Sequence, residues 1–62
     1  MPLKLFETSK VIAYEEGEPD FFTLLTPEKD WIMRIHLNGK YTVEKQRLII
    51  KEMANIVEFL DT

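Results

Sequence analysis

The sequence predicts an α+β fold: an antiparallel meander of three to four strands followed by one C-terminal amphipathic helix packed on the sheet. Three observations lead there. Short β-branched and aromatic runs occupy the first part of the chain, Gly, Pro, Asp and Asn punctuate them, and from residue 43 the apolar period becomes helical. With 62 residues, this is a single small domain over 1–62, near the lower limit of what folds alone.

The strands are expected at about 3–15, 20–26 and 30–37, and the helix at about 43–60. Lys10-Val11-Ile12-Ala13-Tyr14-Glu15 has strand composition and no helix cap, and Leu3-Lys4-Leu5-Phe6-Glu7 is either an extension of it or a separate short strand. Glu16-Gly17-Glu18-Pro19-Asp20 then reads as a turn. Phe21-Phe22-Thr23-Leu24-Leu25 has strand length, which makes the first half a hairpin. Thr26-Pro27 suits either position i+1 of a turn or the start of a helix. The residues after it favour a strand, with Trp31, Met33, Ile35 and Leu37 on one face and Ile32, Arg34 and His36 on the other.

Asn38-Gly39 is a strong hairpin signal. A two-residue loop here would set His36 opposite Tyr41 and Ile35 opposite Thr42, putting polar residues against the apolar side. The pair is therefore expected to lead from the last strand into the helix, with Thr42 as N-cap and Glu44 in the first turn, where its charge opposes the macrodipole. Along the helix, Ile49, Met53, Ile56 and Leu60 follow i, i+4, i+7, i+11, flanked by Val43, Ile50, Ala54 and Val57. This stripe is the expected packing face, and Glu44, Arg47, Lys51, Asn55 and Glu58 the far side. Leu48 and Phe59 fall together off the stripe, which makes them candidates for a second contact surface.

Composition narrows the function classes. No cysteine is present, so a disulfide framework is excluded, and this suits a reducing cytoplasm. One histidine rules out a His/Cys zinc set, and no metal or other cofactor is expected. The net charge of −3 speaks against a nucleic-acid partner, for which Lys40, Lys45, Arg47 and Lys51 would be the cations. The longest apolar stretches, Leu48-Ile49-Ile50 and Trp31-Ile32-Met33, are far too short to span a membrane. The acidic run Glu15, Glu16, Glu18 and Asp20 lacks the ligand spacing of an EF-hand loop and reads as a solvated turn. His36 beside Arg34 has no nucleophile near it in sequence. Tyr14, Trp31 and Tyr41 could stack on bases, but without a basic stripe they suit a core or an interface.

Ile35-His36-Leu37, a glycine-containing turn and Glu44-Lys45-Gln46-Arg47-Leu48-Ile49 resemble the first strand and helix of the small tautomerases, over about a third of the chain. That resemblance implies a catalytic N-terminal proline on the strand that feeds the helix. Pro2 here follows Met1 and does not belong to the strand at 31–37, so the family's base is missing.

The remaining expectation is a non-enzymatic, cytoplasmic accessory or regulatory protein, phage- or mobile-element-like in size, that binds itself as a homodimer, another protein, or both. One helix covers one sheet face, and adjacent apolar residues must alternate sides, so the other face needs a cover. The expected interface residues are Phe21, Phe22, Leu24, Trp31, Ile32, Leu48 and Phe59. Rival expectations are an acidic inhibitor of a nucleic-acid enzyme, of the phage anti-defence type, a tautomerase-like enzyme and a nucleic-acid-binding module.

Overall fold

The computed structural model describes residues 2–17 and 20–60. Four strands, β1 (Leu3–Glu7), β2 (Ile12–Glu15), β3 (Phe21–Leu25) and β4 (Trp31–His36), form one antiparallel sheet in the order β1-β2-β3-β4. One helix, α1 (Val43–Leu60), follows. The expected α+β meander is therefore present, with β1 a strand of its own.

Local chemistry closes each connection. After β1, the Thr8 hydroxyl accepts from the Lys10 and Val11 amides at 3.3 and 3.0 Å, and the Thr8 amide donates to the Val11 carbonyl at 2.8 Å. Between β3 and β4, the Lys29 amide donates to the Thr26 carbonyl at 2.8 Å, which puts Pro27 at position i+1 of a turn. Lys29 takes a φ of 73° to bring the chain back into β4. Glu18 and Pro19 of the acidic loop lie outside the described residues.

Asn38-Gly39 leads out of β4, and Gly39 supplies the positive φ (78°) that the bend requires. Thr42 caps α1: its hydroxyl accepts from the Lys45 amide at 3.2 Å and its carbonyl from the Gln46 amide at 2.9 Å. Glu44 stands in the first turn of the helix.

The core lies between the sheet and α1 and consists of Val11, Ala13, Phe22, Leu24, Ile50 and Ala54, edged by Leu5, Phe6, Ile32, Met33, Ile35, Leu37 and Val57. Two β-bulges shape it. In β1 the pairing jumps from Lys4–Tyr14 to Phe6–Ala13, leaving Leu5 as the extra residue. In β4 it jumps from Met33–Leu24 to Trp31–Leu25, leaving Ile32 extra. Each bulge lets two successive apolar residues, Leu5 with Phe6 and Ile32 with Met33, pack on the core side.

The expected faces of β4 are corrected at its start. Trp31, opposite Leu25, turns away from the helix and is 67% exposed, while Ile32 joins the core edge. The bulge, which restarts the alternation one residue late, is the reason.

Candidate interaction surfaces

The packing face of α1 also differs from expectation. Gln46, Ile50 and Ala54 are its buried residues, with Val57 half-buried in line with them. This stripe is the expected one moved by one residue, about 100° around the axis. Two side chains cause the shift. Ala54 is small enough to bring the helix close over the sheet, and Gln46 is acceptable inside because its amide donates to the Asp20 carboxylate. Asp20 also accepts the Leu37 amide on its carbonyl at 2.8 Å, so one residue ties the starts of β3 and α1 to the end of β4.

The rotation leaves an apolar surface outside. Ile49 is half-buried, while Met53, Ile56 (52%) and Leu60 (75%) stand in solvent along one flank. Leu48 and Phe59 are exposed on the outermost side of the helix, nearly opposite the buried stripe. Beside Leu48, a hollow of about 640 Å³ opens between α1 and β1. It is lined by Leu5, Phe6, Glu7 and Thr8 on the β1 side and by Glu44, Arg47, Leu48 and Lys51 of α1.

The sheet face away from α1 is better covered than strand alternation suggests. Arg34 pairs with Glu16 at 3.0 Å, and the Thr23 hydroxyl donates to the same carboxylate. The Arg34 guanidinium lies 4.9 Å from the Phe21 ring centre, and Phe21 stacks on His36 with centroids 4.2 Å apart and planes 3° from parallel. Lys29 donates to the Tyr14 hydroxyl at 2.9 Å. Ile12 belongs to this side, by alternation with Val11 and Ala13, and is nevertheless buried. The chain's own side chains thus roof much of this face.

Of the residues expected at an interface, Phe22 (1% exposed) and Leu24 (0%) are in the protein's own core and offer no surface. Phe21 is engaged in the stack with His36, and Ile32 edges the core near Val57 and Leu60. Trp31, Leu48 and Phe59 are exposed. Sequence reasoning assigned Met53, Ile56 and Leu60 to the core. Their exposure follows from the Gln46–Asp20 contact, which spans 26 positions and has no local signal.

In the acidic run, Glu16 and Asp20 are held by internal partners rather than standing free. On β1, Lys4 and Glu7 form an exposed ion pair at 3.0 Å. The Glu7 carboxylate raises the Lys4 pKa above its ordinary value, first by accepting its hydrogen bond and then by its charge. Among the described residues no group of three or more His, Asp or Glu gathers as a metal site, and no helix is long and apolar enough to cross a membrane. No family model, curated protein or solved structure matches this chain.

Proposed function

We propose that this chain is a small non-enzymatic interaction module, an accessory or regulatory protein of the cytoplasm, that works as a homodimer and engages another protein through the outer flank of α1. The observation that carries the reading is the row Ile49, Met53, Ile56 and Leu60. Its 4-3-4 spacing is that of a helix-pairing seam, and the protein's own sheet leaves Met53, Ile56 and Leu60 of it exposed. Apolar area removed from water is worth about 25 cal/mol per Å², so such a row is a ready contact for a partner helix. The absence of cysteine suits a reducing compartment.

The test has two arms. Sedimentation equilibrium at micromolar concentration is expected to give about twice the 7.4 kDa chain mass. Capture from a host lysate is then compared between the wild type and Ile56→Asp, with circular dichroism to confirm that the variant is folded. A protein retained by the wild type and lost by the folded variant supports the reading. Identical capture by the two, or a monomer in the first arm, refutes the corresponding half.

A further inference from the structure

The two edge strands of the sheet, β1 and β4, each present an outward backbone row on which another strand can pair. They differ in what a second copy would meet. On β4, pairing centred on Arg34 or Ile35 sets Arg34 opposite Arg34 or His36 of the other copy, side chains already engaged within the chain by Glu16 and Phe21, so no new opposite-charge pair forms. On β1 the pattern is self-complementary.

The faces of β1 follow from its pairing with β2. Lys4 opposes Tyr14 and Glu7 opposes Ile12, so both lie on the side away from α1, where they also pair with each other. Leu3 opposes Glu15 and Phe6 opposes Ala13, on the helix side, and the extra residue Leu5 packs there too. Now let two copies of β1 run antiparallel about a two-fold axis between Leu5 and Phe6. Lys4 then opposes Glu7 of the second copy, Leu5 opposes Phe6, and Leu3 opposes Thr8. Every opposed pair shares a face, as antiparallel pairing demands. The two bulges meet at the axis, so neither shifts the register of the other.

Side-chain chemistry agrees with the geometry. The two Lys4–Glu7 pairs merge into a four-charge cluster of alternating sign on the open face. On the other face Leu3, half in solvent, comes opposite Thr8 of the second copy, at the edge of the hollow that Leu5, Phe6 and Thr8 line. We propose that the homodimer forms by this β1–β1 pairing, joining two four-stranded sheets into one with both helices on the same side. The inference rests on the dimeric part of the proposed function and leaves the Ile49–Leu60 seam open for the other partner.

A charge-exchange experiment tests it, read by sedimentation equilibrium and native mass spectrometry. Lys4→Glu alone and Glu7→Lys alone each set like charges opposite one another twice in the homodimer, and each is expected to dimerise about tenfold or more weakly than the wild type. An equimolar mixture restores opposite charges at both places, so it is expected to give a heterodimer with affinity near the wild-type value. Mixing cannot repair the Lys4–Glu7 pair within a chain, so recovery reports contact between chains. Single variants that dimerise as tightly as the wild type, or a mixture no tighter than either variant, would overturn β1 pairing while leaving the dimer itself standing. A wild type that stays monomeric overturns this inference and the dimeric half of the proposed function together.

Discussion

Truncating Ile50 and Ile56 separately measures which side of α1 faces the sheet. Ile50 is fully buried in the core and Ile56 is half in solvent. Ile→Ala removes three carbons, about 2.4 kcal/mol at about 0.8 kcal/mol each, and a closed core adds a cavity term, for a total of about 3–4 kcal/mol at Ile50. A chain of 62 residues has a total stability of roughly 3–9 kcal/mol. Ile50→Ala therefore removes a large share of it, and a visible unfolded fraction at room temperature is expected. At Ile56 the exposed half contributes nothing and no closed cavity forms, so the loss is about 1 kcal/mol. Urea denaturation followed by circular dichroism separates the two. With a slope of about 1 kcal/mol per molar urea, the midpoints should lie about 2–3 M apart. The comparison belongs at high dilution, where any contact made by Ile56 between chains is released. If Ile56→Ala is then as damaging as Ile50→Ala, the helix orientation described above is wrong.

Two further outcomes follow from the polar end of the core. Gln46→Leu is expected to lose about 1–3 kcal/mol by depriving the Asp20 carboxylate of its partner, and to be nearly neutral in an Asp20→Gly background, as a double-mutant cycle of thermal melts will show. Gly39→Ala is expected to lose about 1–2 kcal/mol, and Gly39→Asn less, because a Cβ there meets only the Asp20 carboxylate at 3.4 Å and the penalty is that of the left-handed backbone. Equal melting temperatures for the Ala and Asn variants would contradict that cause.

Much of this fold was legible because its signals are local. Pro27 in its turn, Gly39 at the exit from β4, Thr42 at the helix start and the period from residue 43 each act on neighbours within a few positions. What stayed hidden depends on distant contacts. Nothing in Leu3–Glu7 or Trp31–His36 announces a bulge, because the extra residue is defined only by the partner strand. The helix face was misplaced because Ile49, Met53, Ile56 and Leu60 form the more hydrophobic stripe, while the true one opens with a glutamine whose partner is Asp20. The same effect made candidate surface residues hard to choose. Phe22 and Leu24 were indistinguishable by composition from Phe21 and Leu25 until the strand register assigned them sides.

The two ends of α1 are held by different forces. Near its start, the Thr42 cap and the Gln46 contact to Asp20 are directional and polar. Toward its finish, Val57 packs half-buried against the apolar core, and no basic residue in the last turn balances the macrodipole. Apolar association weakens on cooling, whereas a hydrogen-bonded latch does not depend on that term. Low temperature is therefore expected to loosen the helix from its C-terminal end first, while the Asp20 latch keeps its first turns in place, and the Met53–Leu60 surface belongs to that end.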